Sequence, residues 1–411
     1  MTSLPAAAPP AFEASRPPRR SDIDALRVIA VLLLVYFHSG MVFNLWQFHI
    51  KNAQLSRPIT LFTTILGQWH MPLFMLLAGA STYLALRHRS PGQYAGERVR
   101  RLLVPLIFGM LIVVPPQVYI ERISWSARPR MSPINFTGAF FHFYPHVFEG
   151  VYPHGNLSWH HLWFVAYLLT YSLALLPLLI WLKRSPTGRR AVEMFGRIFS
   201  PGLRILLLGL PLVVIEAALG PLFPRTHALI DDWCNHAHYI LVFLYGYLLI
   251  SDDRLWEAID RSKIAAMMLG LACTTASLTG RLQGWGLYTP GYFPGVLLWS
   301  CGEWCWLVAL LGFGREWLNR PNPCLGYAAT VAYPFYVLHQ TVIVILAWYI
   351  VRWNRSIAAK FALLSSVAVL ATAALCETAR HSRVTRFLLG MGASRRPVGR
   401  LQPPCEPPSP N

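Results

Sequence analysis

Apolar runs long enough to cross a bilayer recur along this chain at roughly 27–47, 60–86, 102–120, 162–182, 204–222, 236–251, 264–280, 292–314, 330–350 and 358–379. Nothing else in the sequence restricts the fold as strongly. In hydrocarbon every backbone N–H and C=O must be satisfied within the protein, which leaves only helices and closed barrels. Runs of about 20 residues without two-residue alternation are helices. The predicted fold is therefore an all-α integral membrane protein, with ten transmembrane helices in one bundle over residues 21–382.

Charge supports that class and sets an orientation. Only 13% of the 411 residues are charged, where a soluble domain carries about 25%. The net charge of +18 is not gathered into a patch. Its basic residues sit between the apolar runs, which reads as topology and excludes a nucleic-acid partner. Well over half of the 36 Lys and Arg lie in the N-terminal segment, 87–101, 183–203, 252–263, 315–329 and the C-terminal segment. By the positive-inside rule these segments, and so both termini, are expected in the cytoplasm. Residues 1–20 and 383–411, rich in Pro, are expected to be disordered cytoplasmic tails. No small-residue cleavage site follows the first run, so it reads as an uncleaved signal anchor. The seven Cys show no C-x-x-C and no zinc spacing, so neither disulfides, a structural metal nor a permanently bound cofactor is expected.

Within these runs a few ionisable residues stand out, because each is costly in a membrane and marks a functional site by default. Arg27 begins the first run and His38 lies inside it. Eleven residues make about three turns, so both side chains share one helix face about 16 Å apart. Taken singly, Arg27 would merely snorkel and His38 would merely pack. Estimated from the runs, however, His70, Glu303 and His339 lie at a depth similar to that of His38, on three further helices. Four such groups at one depth call for a shared polar cavity, and a His–Glu contact there would orient an imidazole for general-base work. Glu216 and Glu377 are weaker candidates. On the cytoplasmic side, Arg98 and Arg101 are three apart and project to one helix face, suited to phosphate. The outside segment 121–161 interleaves His142, His146, His154, His160 and His161 with Phe140, Phe141, Phe143 and Tyr144. It reads either as an interfacial loop or as an aromatic wall for a sugar-like acceptor.

Several of these residues fall in motifs resembling the acyltransferase-3 family of integral membrane acyltransferases, nearest its branch that succinylates periplasmic glucans. They are Arg27-x10-His38, Trp69-His-Met-Pro-Leu-Phe-Met-Leu-Leu-Ala-Gly, Arg98-x-x-Arg101 followed by Pro105, His161-Leu-Trp-Phe and Tyr333-Pro-Phe-Tyr-Val-Leu-His-Gln, in the family's order over about 20–380. Ala78-Gly79 departs from the Ser-Gly of many members. The resemblance implies an enzyme of the bacterial inner membrane that moves an acetyl or succinyl group from cytoplasmic acyl-CoA to a hydroxyl of an extracytoplasmic carbohydrate. It implies His38 as the catalytic histidine, with Arg27, Arg98 and Arg101 binding the donor. His339 or His70 would donate a hydrogen bond to the oxyanion, and Glu303 completes the catalytic set. Two other classes would use the same residues. A transporter or flippase would couple ions through them, and a membrane cytochrome would ligate haem with His38, His70 and His339.

Overall fold

The computed structural model describes residues 20–124 and 136–392, and every regular element among them is helical. The first helix, α1 (Ser21–Met41), begins with Asp22 and Asp24 in its first turn, where negative charge favours a helix start. It ends under a buried ammonium, as Lys51 donates to the carbonyls of Met41, at 2.5 Å, and Asn44, at 2.6 Å. The next helix, α2 (Arg57–His88), starts where the Ser56 side chain accepts from Ile59 N–H. Its 32 residues make about 48 Å, more than a bilayer core requires. A capping box of Ser90 and Gln93 opens α3 (Pro91–Ile123), which winds into π turns at Val99–Leu103 and Gly109–Val113. Such turns are rare and concentrate at functional sites; the first holds Arg100 and Arg101.

From there the chain bends twice. Helix α4 (Trp163–Ala174) meets α5 (Leu176–Arg184) at 48°, at the position of Pro177, whose ring cannot continue a straight helix. Helix α6 (Pro186–Phe199) then turns by 118° into Arg204–Leu219, the segment that contains α7 (Gly209–Leu219). Arg189, Arg190, Glu193 and Arg197 share α6 with the exposed Met194 and Ile198, the pattern of a helix lying in a membrane interface. Five longer helices follow: α8 (Trp233–Ser251), α9 (Asp253–Leu282), α10 (Tyr292–Leu318), α11 (Pro323–Ile350) and α12 (Ile357–His381).

By length and apolarity seven of these helices can cross a membrane, and the two bent pairs raise the number to nine. The chain is thus a multi-pass membrane protein, but ten spans are not reached on those grounds. The remaining predicted span, 236–251, falls in α8, whose first turns carry Asn235, His236 and His238 and so dilute its apolarity. Nor is the C-terminal segment wholly without structure. Its first residues form a short helix, α13 (Arg383–Leu388), packed on Val104–Phe108, with Leu389 buried behind it. Residues 1–19 and 393–411, most of the two predicted tails, lie outside the described residues.

At the centre stands α1, packed against α2, α10, α11 and α12. Lipid tails are as apolar as the helices, so the bundle is held by close backbone approach and buried hydrogen bonds. The closest approach joins α2 and α8: a Cβ on Gly79 would lie 1.9 Å from the Phe243 carbonyl oxygen, and one on Gly246 would lie 1.9 Å from that of Leu76. Gln68 links three helices, donating to Trp299 O at 2.8 Å and accepting from Thr274 at 2.8 Å. Each bond of this kind contributes about 0.6–2 kcal/mol in a bilayer.

The segment after α3 depends on one buried cation. Arg122 donates to Asn156 Oδ1 at 3.0 Å, to the carbonyls of Gly155 at 2.8 Å and Pro153 at 3.4 Å, and pairs with Glu121 at 3.3 Å. Arg122→Met strands three acceptors and leaves Glu121 to His49 and Tyr152 alone, a loss of about 1–3 kcal/mol for each stranded group. Limited proteolysis is expected to cut within 149–158 in this variant while the helices stay intact. Native resistance there would show that the loop holds itself.

Candidate active site

Because α1 touches α2, α10 and α11, the fold brings together all four helices expected to carry chemistry. Between them lies a cavity of about 830 Å³, lined by His38, His70 and Glu303 of the predicted set and also by His161, Glu216 and His238. His339 is not in its lining but directly behind it, its ring centroid 5.1 Å from that of His38. His161 joins the cluster, its ring perpendicular to that of His339 with centroids 5.3 Å apart.

Backbone carbonyls decide what these rings can do. A carbonyl only accepts, so a ring nitrogen against one must carry the hydrogen. His70 Nε2 lies 2.7 Å from Ala30 O, His339 Nδ1 lies 2.6 Å from Tyr336 O, and His161 Nε2 lies 2.9 Å from Val337 O. As neutral rings, all three offer only a bare lone pair to the interior. The oxyanion role expected for His70 or His339 would thus require the protonated ring, whose second nitrogen carries the hydrogen to donate. His38 differs. Its Nδ1 is buried without a partner, as is Nε2 of the neighbouring His339, which leaves Nε2 of His38 as the nitrogen on the cavity side.

Glu303 does meet a histidine, but a different one from those expected. His238 on α8 donates through Nε2 to Glu303 Oε1 at 2.7 Å. Its Nδ1 is 2.9 Å from Glu216 Oε1, off the ideal hydrogen-bond direction but at ion-pair distance. A lone pair so close to a carboxylate oxygen would be repelled, so both nitrogens carry hydrogen and the ring is cationic. Arg225, in the connection after α7, pairs with the other oxygen of Glu216. Burial works against the Arg225 charge, yet Glu216 outweighs it and holds the guanidinium above its ordinary range. Nearby, His227 lies over Trp163, with ring centroids 4.4 Å apart, and burial pushes its imidazole down against the opposing pull of Asp232.

A second His–Glu pair lies outside the cavity. His49 Nδ1 is 2.5 Å from Glu121 Oε2, and its Nε2 accepts from the Gln340 amide at 3.1 Å. Gln340 also donates to Gln117 at 2.9 Å, which fixes that amide's orientation and hence the tautomer of His49. With His160, this pair brings three potential metal-ligand atoms within 4.8 Å of one another. No spacing within 121–161 signals the cluster, because His49 comes from an earlier loop. The aromatics of that segment do not wall the cavity. Phe136, Phe140 and Phe143 pack on Tyr119 instead, and among the described residues of the segment only His161, at its end, reaches the lining, with Trp163 just beyond it.

The three arginines expected to bind a donor gather at the far end of α2. Arg27 donates to Ser81 Oγ at 2.7 Å and to Asp24 at 3.1 Å. Arg98 reaches the adjacent Thr82 at 3.5 Å and lies 4.8 Å over the Tyr94 ring, while Tyr94 OH and Thr82 share a 3.0 Å hydrogen bond. Arg101 is three residues further on, most of a turn, and is paired with Glu97 at 3.1 Å. Ser81 supplies a hydroxyl two residues beyond Ala78-Gly79, where the motif departs from Ser-Gly.

The chain matches the family described as "Acyltransferase domain", the acyltransferase-3 family, over residues 20–377. Glucans biosynthesis protein C of Escherichia coli O6:K15:H31 (strain 536 / UPEC) is 20% identical over 347 residues, covering 81% of this chain and 84% of that protein. Proteins of the same name from Salmonella paratyphi A (strain ATCC 9150 / SARB42) and Salmonella agona (strain SL483) are also similar, at 20% identity with the same coverage. No solved structure matches.

Proposed function

Since this chain belongs to the acyltransferase-3 family and is an acyltransferase, we propose that it carries an acetyl or succinyl group from cytoplasmic acyl-CoA to a hydroxyl of an extracytoplasmic glucan or related carbohydrate. The acceptor class is suggested by the name of the relatives. The observation that carries the reading is the position of His38: it is on the cavity wall, with a ring nitrogen toward the cavity, on the same helix as Arg27.

In this scheme both termini face the cytoplasm and the protein resides in the inner membrane. CoA phosphates bind Arg27, Arg98 and Arg101, whose guanidinium forks suit them, and the pantetheine arm runs between helices toward the cavity. The acceptor oxygen attacks the thioester carbonyl, forming the ester C–O bond. As the C–S bond breaks, the hydroxyl proton passes to His38 Nε2 and from there to the departing CoA sulfur. With Nε2 accepting, Nδ1 of His38 carries the ring's other hydrogen, and the His339 ring lies beside it, 5.1 Å between centroids. No bound cofactor takes part. The alternative, a transporter or flippase, would leave acyl-CoA unconsumed.

Purified protein in nanodiscs, given acyl-CoA and an oligoglucoside, is expected to release CoA thiol in step with a gain of one acyl mass on the sugar. No thiol release with a competent donor series would sink the reading. Arg98→Ala is expected to raise KM for acyl-CoA about tenfold or more, the loss of a charge-assisted phosphate contact, with KM for the acceptor unchanged. An unchanged donor KM would remove Arg98 from the donor site.

A further inference from the structure

The Glu216–His238–Glu303 group is unexplained by the scheme above, although it shares the cavity with His38. Charges at this depth are costly, and three helices and a loop are committed to them. A purely structural tie would be covered. Here all three residues, and Arg225 with them, remain part of the lining.

Its charges cancel: two carboxylates face one imidazolium and one guanidinium. Within the group no net charge is left over, only hydrogen-bonding capacity; Arg281, also in the lining, lies over the Trp299 ring at 4.0 Å. Glu303 Oε1 is taken by His238, while its second oxygen has no partner among the described residues. Asn235 spends its amide N–H on Asp232 at 2.8 Å, leaving its carbonyl oxygen uncommitted. Trp46, Trp285 and Trp299 line the same space, with Tyr239 and Tyr292. Flat apolar faces beside a few fixed acceptors, in a volume typical of small-molecule sites, suit a ring that is apolar above and below and carries hydroxyls at its edge.

We infer that Glu303 and Asn235, with Glu303 braced by His238 and Glu216, form the subsite that holds a neutral sugar ring of the acceptor and turns one of its hydroxyls toward His38. The inference rests on the acyl-transfer reading for its second half only. Ring binding stands by itself. Glu303 accepts from sugar hydroxyls, and His238 is a positioning residue that fixes which oxygen of Glu303 remains available.

The test uses the full chain in nanodiscs and a neutral glucose oligosaccharide, with binding followed by tryptophan fluorescence in the absence of acyl-CoA. Native protein is expected to bind, and Glu303→Gln to bind about tenfold more weakly, since a charge-assisted hydrogen bond becomes a neutral one. In turnover, Glu303→Gln is expected to raise KM for the acceptor and leave KM for acyl-CoA as it was. Trp46→Leu, which touches none of the charged group, is expected to weaken binding as well and guards against a fold defect in the first variant. Equal oligosaccharide binding by native, Glu303→Gln and Trp46→Leu proteins would overturn the subsite, as would tighter binding of a uronate oligosaccharide than of the neutral one. Oligosaccharide binding without acyl transfer by the native protein would instead keep the subsite and overturn the reaction.

Discussion

His38→Gln is expected to lower kcat for acyl transfer by about 10²- to 10⁴-fold, the usual contribution of a positioned general base. The amide fills nearly the same space but cannot take a proton. His38 makes no hydrogen bond among the described residues, its Nδ1 being unpartnered, so the substitution breaks no such tie between helices. Thermal stability and both KM values are therefore expected to stay at native levels, which separates a chemical defect from a structural one. A variant that keeps its kcat to within a few fold would show that the proton leaves by another route. His339→Phe is expected to give a smaller loss, since it removes only the polar ring packed beside His38.

The second large effect is on assembly. Gly79→Ala adds one carbon at a point 1.9 Å from the Phe243 carbonyl oxygen, a backbone atom that no rotamer change can move. Helices α2 and α8 must then part, and the reciprocal contact at Gly246 opens with them. A loss of more than about 4 kcal/mol is the scale for forced disruption of a packed core, so little monodisperse protein is expected on size-exclusion chromatography. Gly67→Ala on the same helix is the matched control. Its new carbon meets only Phe37 at 3.5 Å and Trp46 at 3.9 Å, which are ordinary contacts. Equal yields from the two variants would mean that the crossing is not what holds the bundle.

Much of this is legible in the sequence. Apolar length gave the helices, and the depth of His38, His70, Glu303 and His339 did bring them to neighbouring elements around α1. What depth cannot give is which group faces which. Glu303 is expected to orient a histidine, and it pairs with one, but that histidine is His238, on a helix whose start is crowded by polar residues. Glu216, a weak candidate alone, gains meaning only from its distance to His238. His49 lay in a connecting loop and Glu121 at a helix end, and neither position carries a one-dimensional sign of the other. The hydrogen-bond state of His70 and His339 was equally hidden, because it depends on carbonyls of Ala30 and Tyr336 that every residue possesses.

Two bonds described above tie α2 to α1: His70 to Ala30 O and Arg27 to Ser81. On α2 they are eleven residues apart, about 16 Å. The pair acts as a two-pin registration. One pin alone would let α2 pivot, but with both set, neither sliding nor rocking is possible without losing an anchor. A carrier that alternates its openings needs some pair of elements to move in that way, and the two helices at the centre of this bundle are clamped against it. Under the proposed acyl transfer, passage from one face to the other would fall to the flexible arm of the donor, threaded between fixed helices.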